Sequence, residues 1–263
     1  MSEYYNKTTL SNGVRLVTEK ISTVRSVALG VWVNVGGRDE NFQNQGISHF
    51  LEHMIFKGTE KRSALEIAME IEGVGGHLNA FTSTELTCFY TQILDENIGI
   101  GIDVLSDIIS NSSFREQEIA KEKGVITEEI RHLEDSPDDL IFDYFIRELF
   151  PRHSLGLPIL GTVETVNSFT ADDLKALIND RYTADRVVIS AAGNLEHERL
   201  VEMVEHSFHF SQEGKPIERS APPPKESGRR QYPRSIQQAH ILTGARSYPY
   251  ADGRKFPFLV LNT

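Results

Sequence analysis

The sequence predicts an α+β fold, a layered sheet with helices packed on one face. Strand patterns occur in the first 35 residues, around residues 77–94 and near residue 190, and helical patterns fill most of the chain between them. In the segment SVALGVWVNV every second residue from Val27 to Val35 is valine or leucine. The other face of this segment is mostly small or polar, which favours a central strand of the sheet.

The remaining elements follow in chain order. Two short strands flank the turn signal Asn12-Gly13, and a helix holds the segment GISHFLEHMIFKGT. A second helix begins at a capping box of Ser63 and Glu66 and ends at the glycines that follow residue 72. Two more strands come next, HLNAFTST and TCFYTQIL. Further elements are predicted as helices at about 97–111, 114–134, 137–149, 170–180 and 196–207, and as a strand at RVVISAAG.

Composition limits the class of protein. The 263 residues are 39% hydrophobic and 25% charged, which is typical of a globular chain. A net charge of −11 argues against nucleic acid as the main partner and favours cationic ligands. No apolar run approaches the roughly 20 residues that span a membrane, and the start of the chain has no signal or transit pattern. We therefore expect a soluble, cytoplasmic protein, in which the single cysteine, Cys88, is a thiol in the core.

The segment GISHFLEHMIFKGT contains three ionisable groups among apolar residues, and these groups need partners if they are buried. Core hydrogen bonds, a salt bridge and a metal ion are the candidate partners. On a helix His49 and His53 share one face, because they are four residues apart, so both can bind one ion. Glu52 lies at the flank of that face, where it can contact a metal-activated water. Two imidazoles are an incomplete catalytic zinc site, which usually has three protein ligands.

The helix at 114–134 offers the third ligand. With Ile126 at the centre of its apolar stripe, Glu122 and Glu129 lie about 40° and 60° to one side of that residue. They are seven residues apart, so they lie nearly above one another two turns apart. Glu128 points further outward and is the poorer candidate. Two carboxylates beside a buried stripe require a counter-charge, which a zinc ion bound to two histidines would provide.

The order H-x-x-E-H is the inverted zinc motif of the inverzincins. The wider segment ISHFLEHMIFKGTEKRS resembles the pitrilysin/insulinase family of metallopeptidases, and most closely its processing-peptidase branch, which includes the catalytic subunit of the mitochondrial processing peptidase and similar bacterial proteases. The resemblance runs from about Asn12 to the end and includes GGHLNAFTSTELTCFY, EKGVITEEI and HSLGLPILGT. It implies Glu129 as the third zinc ligand and Glu122 as the supporting glutamate.

The resemblance also implies a domain organisation, two similar α+β halves that close like a clamshell around a peptide. In agreement, the composition changes after residue 210 to proline, glycine and charge, and QQAHILTGARS and YADGRKFPFLVLNT then repeat a strand and a helix start. Residues 1–212 are predicted to be a zinc-bearing catalytic domain and 213–235 a linker. Residues 236–263 are predicted to be the truncated start of a second, homologous domain. The family's Arg-Tyr pair of the second half would fall beyond Thr263.

These features predict a zinc endopeptidase with one Zn²⁺ per chain. His49, His53 and Glu129 would bind the metal, Glu52 would act as general base, and Glu122 would orient a histidine ligand. The partners expected are a peptide or unfolded protein substrate and a second half or subunit that closes over the site, with a homodimer left open. A non-catalytic peptide-binding or scaffold subunit is the alternative function. A structural zinc site fits poorly, since such sites prefer four cysteine or histidine ligands.

Two further segments are predicted to bind substrate. HLNAFTST has the pattern of an edge strand to which an extended peptide can add, and the resemblance assigns Asn79 and Ala80 to positions near the scissile bond. A proline at Phe81 would test this if the Phe81 N–H faces the peptide. Asp139 and Asp143 share a helix face, and the resemblance implies that they bind a basic side chain. Helix-dipole stabilisation by Asp139 and plain surface exposure of Asp143 are the alternatives.

Overall fold

A computed structural model describes residues 5–212, 214–224 and 227–261 of the protein. The strands of this part are β1 Asn6–Thr9, β2 Arg15–Lys20, β3 Ser26–Val33, β4 His77–Thr82, β5 Thr87–Leu94 and β6 Val187–Gly193. The helices are α1 Ile47–Ile55, α2 Ala64–Glu72, α3 Ile98–Asn111, α4 Glu116–Asp135, α5 Pro137–Leu149, α6 Val163–Ser168, α7 Ala171–Arg181, α8 His197–Ser207 and α9 Lys255–Leu261.

The strands form one open sheet in the order β1-β2-β6-β3-β5-β4. β2 and β6 are parallel, and the other neighbouring pairs are antiparallel. On β3 the predicted stripe from Val27 to Val33 is buried, whereas Trp32 on the opposite face is exposed. Helices therefore cover one face of the sheet, and β3 lies in its interior, so the predicted fold class is confirmed.

The predicted helix boundaries agree with the structure to within about two residues. At the start of α2, the Ser63 hydroxyl accepts the Glu66 N–H at 3.3 Å, and the Ser63 N–H donates to the Glu66 carboxylate at 2.8 Å. The prediction missed α6, which has only six residues and is too short to show a helical period. Its one sequence signal is the pair Thr162 and Thr165, which forms a capping box.

The predicted strand at QQAHILTGARS is wrong, because residues 237–247 contain no strand. A strand needs a neighbour with which to exchange backbone hydrogen bonds, and no described segment pairs with this one. α9 lies within the predicted helix start. The domain boundaries stay a prediction, and residues 1–4 of the first domain, 213, 225 and 226 of the linker, and 262 and 263 of the second domain lie outside the described residues.

The described linker residues are bound to the first domain by side-chain contacts. The Arg219 guanidinium donates to both carboxylate oxygens of Asp39, at 2.8 and 2.7 Å. Further along, the ring of Tyr232 stacks on Tyr144 of α5 with 4.1 Å between centroids. These contacts determine the path of the linker along the domain, although its described residues form no helix or strand.

Candidate metal centre

The start of α1 is held by a buried carboxylate from the preceding loop. Glu40 accepts the Gly46 N–H at 2.7 Å and the Ser48 N–H at 2.9 Å. Burial raises the pKa of Glu40, although these two hydrogen bonds act to lower it. Gly46 has φ 91°, and a Cβ there would lie 2.6 Å from the Leu160 carbonyl oxygen. Because Glu40 accepts two N–H groups at the helix start that have no partner within the helix, it fixes where the histidine-bearing helix begins.

The apolar face of α1 anchors the helix in the core. Phe50, Leu51 and Ile55 are fully buried, and burying one such side chain contributes roughly 1.5–3 kcal/mol. His49 and His53 lie on the other face with 4.6 Å between their ring centroids. Their side chains are 13% and 21% exposed. Both rings therefore lie at a partly buried surface, next to α4.

α4 presents Glu129 to both rings. Its carboxylate oxygens lie 3.8 Å from His49 Nε2 and 3.7 Å from His53 Nε2. These distances are too long for hydrogen bonds. Ligand atoms at about 2.0–2.2 Å from one tetrahedral zinc ion lie roughly 3.3–3.6 Å apart, close to the observed spacing. His49, His53 and Glu129, called the metal cluster from here on, each offer one atom within 4.8 Å of the others.

Glu122, the other carboxylate of α4 near the site, contacts the ring of His53 on the side away from Glu129. His53 Nδ1 lies 3.1 Å from Glu122 Oε2, and Glu122 is only 4% exposed. If His53 donates its Nδ1–H to this carboxylate, the lone pair of Nε2 is left for a metal, which is the usual arrangement of a histidine ligand. Helical periodicity predicts both glutamates beside the core stripe, and the structure gives them different surroundings, with Glu122 against His53 Nδ1 and Glu129 facing both rings.

His49 is in a form suited to metal binding. Burial, and then the charge of nearby His53, lower the pKa of His49 to about 4, so its imidazole is neutral near pH 7. Within the described residues, buried His49 Nδ1 and Glu52 Oε2 have no hydrogen-bond partner. A carboxylate and two imidazoles form a donor set that zinc prefers. The residues present therefore fit a zinc ion.

Glu52 lies beside the metal cluster and is chemically distinct from it. Burial raises the pKa of Glu52, hydrogen bonding from Thr82 and the charge of His53 lower it, and the Glu129 carboxylate raises it. The net direction is upward. A carboxylate with a raised pKa is a stronger base than an ordinary carboxylate, which suits a general base.

β4 is the edge strand of the sheet, as predicted, and α1 contacts it. The Ser83 N–H donates to the Leu86 carbonyl at 2.8 Å where the hairpin closes. Because antiparallel pairs alternate from that point, the Phe81 N–H faces Cys88 of β5 and the Ala80 N–H faces outward. The Ala80 N–H donates to Oδ1 of the adjacent residue, Asn79, at 2.8 Å, which agrees with an outward direction. The proline test at Phe81 required the Phe81 N–H to face the peptide. Because this N–H faces β5 instead, that substitution does not test strand addition.

The predicted aspartate pair lies on α5, outside the metal cluster of the described residues. Asp139 is exposed in the first turn and accepts the Ser136 hydroxyl at 2.7 Å. Asp143 is half-buried, and its pKa is raised by burial, against a lowering by the Arg147 charge one turn later. The hydrogen bond of Asp139 lies at the helix start, where helix-dipole stabilisation is its alternative role, so the substrate role of the pair stays a prediction.

Three neighbours of the centre were not singled out from the sequence. Glu40 lies in an irregular loop, where no periodicity points to it, and the contact of Thr82 depends on sheet register. Lys57 does carry a signal, because it continues the four-residue spacing of His49 and His53. Its Nζ lies 2.7 Å from Glu122 Oε1.

Comparison with known families agrees with this geometry. The family described as Insulinase (Peptidase family M16) matches residues 15–163, and the one described as Peptidase M16 inactive domain matches residues 168–263. The chain belongs to the M16 insulinase family. The metallopeptidase resemblance predicted from the zinc motif is thereby confirmed. The two matches together extend across the predicted linker into the C-terminal part.

Individual relatives sharpen the comparison. The chain is 43% identical over 254 residues to the zinc protease YmxG of Bacillus subtilis, covering 97% of the chain and 62% of that protein. It is 44% identical over 201 residues to a probable mitochondrial-processing peptidase subunit beta of Arabidopsis thaliana, covering 76% and 38%. A protease structure from Helicobacter pylori shares the fold, with a TM-score of 0.76 at 23% identity over 81% of this chain and 52% of that one. The chain thus spans less than two thirds of each of these relatives.

None of the helices in the described ranges is long and apolar enough to cross a membrane.

Proposed function

We propose that the full-length protein is a zinc-dependent endopeptidase. The observation that carries this proposal is the convergence of His49, His53 and Glu129, with no Lys or Arg of the described residues in an ion pair with Glu129. Three potential ligands leave one position of a tetrahedral ion open, which is typical of catalytic rather than structural zinc. When bound, zinc polarises the scissile carbonyl and lowers the pKa of a coordinated water to about 7.

The protein's own residues then carry the proton transfers. Glu52 takes one proton from the attacking water while the water oxygen bonds to the carbonyl carbon. The carbon–nitrogen bond breaks, and Glu52 returns that proton to the leaving amine. Glu122 holds His53 in orientation throughout. The step is a hydrolysis that balances without a covalent enzyme intermediate.

The substrate is proposed to bind as an extra strand on the outer edge of β4. Support comes from the outward Ala80 N–H, from the packing of α1 against β4, and from the absence of a neighbour of β4 on that side among the described strands. Peptides N-methylated at one backbone amide at a time should show a raised KM at every second position only. An equal effect at all positions would contradict strand addition.

Asp139 and Asp143 are proposed to favour Arg or Lys near the scissile bond. Asp143 is half-buried, and a charge-assisted hydrogen bond there contributes about 1.5–3 kcal/mol. Asp143→Asn should therefore lower kcat/KM for basic peptides roughly tenfold or more while it barely changes cleavage of neutral ones. Equal losses on both classes of peptide would assign the aspartates to helix stability.

The test of the function uses full-length protein in a peptide-cleavage assay with metal analysis. We expect about one zinc per chain, loss of cleavage on chelation and recovery on adding zinc back. Glu52→Gln should lower kcat by roughly 10²–10⁴-fold and keep the zinc. Glu128→Gln, an exposed glutamate on α4, is the matched control and should be fully active.

Zinc-free protein without cleavage would instead indicate a peptide-binding or scaffold subunit. Closure of a second half or subunit over the site, and a cytoplasmic location, stay predictions. Crosslinking between the metal-cluster face and the rest of the full-length chain would test closure directly.

A further inference from the structure

We propose that Lys57 is a positioning residue of the metal centre, whose ammonium group holds the Glu122 carboxylate in the orientation that binds His53. This inference rests on the proposed zinc site. Lys57 Nζ lies 2.7 Å from Glu122 Oε1, and His53 Nδ1 lies 3.1 Å from Glu122 Oε2. The two oxygens of one carboxylate are thus divided between a cation and a histidine.

Burial makes the cation necessary. The Glu122 side chain is 6% exposed, whereas that of Lys57 is 31% exposed. Removing one partner of a buried ion pair leaves the other charge uncompensated, which is strongly unfavourable. In the described part of the chain, Lys57 is the one Lys or Arg paired with Glu122. Without it we expect the carboxylate to turn toward water and leave His53 Nδ1.

Backbone geometry explains why this lysine can reach the site. Lys57 follows His53 by four residues, and its N–H donates to the Met54 carbonyl at 3.1 Å, so the chain still turns beyond the end of α1. Lys57 and His53 therefore project toward α4 one turn apart. The contacts from His53 to Glu122 and from Glu122 to Lys57 then connect α1, and the turn that follows it, to α4 behind the metal cluster.

A neighbouring ion pair provides matched controls. Glu118 lies one turn before Glu122 on α4, and Lys57 contributes to the lowered pKa of Glu118, after larger effects from Lys121. Glu118 itself pairs with Lys121 at 2.7 Å. Substituting Glu118 or Lys121 changes the charge near Lys57 but leaves the Lys57–Glu122 and Glu122–His53 contacts in place.

The experiment measures the zinc dissociation constant of full-length protein by competition with a chromophoric chelator. Loss of a partner that orients a metal ligand typically costs 10–100-fold in metal affinity, so we expect that weakening for Lys57→Met. Lys57→Arg keeps a cation and should recover most of the affinity. Lys121→Met and Glu118→Gln should bind zinc like the wild type.

A double-mutant cycle separates a positioning role from general stabilisation. If Lys57 acts through Glu122, Lys57→Met should add little to the zinc-affinity loss of Glu122→Gln. The nitrogen chemical shifts of His53 in the zinc-free protein should also change in Lys57→Met, because the acceptor at Nδ1 is lost.

Wild-type affinity in Lys57→Met, equal losses in Lys57→Met and Lys57→Arg, or additive losses in the double mutant would each overturn the positioning role. In all three cases the proposed zinc site survives. A wild-type protein that binds no zinc would instead overturn the proposed function itself.

Discussion

Two clusters of side chains are built differently: the metal cluster on α1 and α4, and a second cluster around Arg62 in the loop that follows α1. The Arg62 cluster consists of Arg62, Thr59, Glu70, Asp103 and Asp107. There one guanidinium contacts all three carboxylates, at 3.0 Å from Glu70 and 2.7 Å from Asp107. The metal cluster brings a carboxylate and two imidazoles together, and its described neighbours include no Lys or Arg paired with Glu129.

The difference teaches how to tell a structural cluster from a site. Buried carboxylates need a cation, and the Arg62 cluster supplies its own, so it ties the loop to α2 and α3. In the metal cluster the Glu129 carboxylate is partly exposed and is paired with no Lys or Arg of the described residues, so it stays accessible to water or to a metal ion. Mutations in the Arg62 cluster should therefore lower stability, whereas a mutation in the metal cluster should mainly affect metal binding. Three substitutions test this difference, in order of decreasing effect on stability.

Arg62→Met should have the largest effect. The change leaves Asp107 buried without its cation, and we expect the free energy of unfolding to fall by about 3–5 kcal/mol. Denaturant titration of the full-length protein measures this. Arg131→Met, which removes an exposed pair with Glu128, should stay within about 0.5 kcal/mol of the wild type. A similar small change for Arg62→Met would mean that its cluster is not structural.

Asp107→Asn should have an intermediate effect of about 1–3 kcal/mol at neutral pH, since the amide keeps the shape but loses the charge. Burial acts to raise the pKa of Asp107, but hydrogen bonds from Asn111, Arg62 and Thr59 outweigh it and lower the pKa below 3.8. The stabilisation is thus present above pH 3.8 and lost as pH falls through the lower folded value. The difference in free energy of unfolding between wild type and variant should therefore shrink as the pH falls through that folded pKa. A difference that does not change with pH would contradict an ionised Asp107.

Glu129→Gln should have the smallest effect on the zinc-free protein, within about 0.5 kcal/mol, because this side chain is 39% exposed and accepts no hydrogen bond from described residues. It should nevertheless remove zinc binding. Added zinc at 100 times its dissociation constant should stabilise the wild type by about 2.7 kcal/mol and leave the variant unchanged. Equal stabilisation of both proteins would exclude Glu129 as a ligand.

The sequence by itself determined the local part of this arrangement. Four-residue spacing puts His49 and His53 on one face of α1, and seven-residue spacing aligns Glu122 with Glu129 on α4. Helical periodicity depends only on backbone geometry within a few turns, so these relations could be predicted before any tertiary contact was known. The strand alternation of β3 and the capping box of α2 were predictable for the same reason.

Only the tertiary structure decided which of these groups meet and which are buried. Strand register turned the Ala80 N–H outward and the Phe81 N–H inward, and helix packing gave Glu122 two partners while Glu129 stayed half-exposed. The predicted strand at 237–247 failed because pairing depends on a distant neighbour. Contacts between residues far apart in the chain depend on how whole elements pack, and no local pattern contains that information.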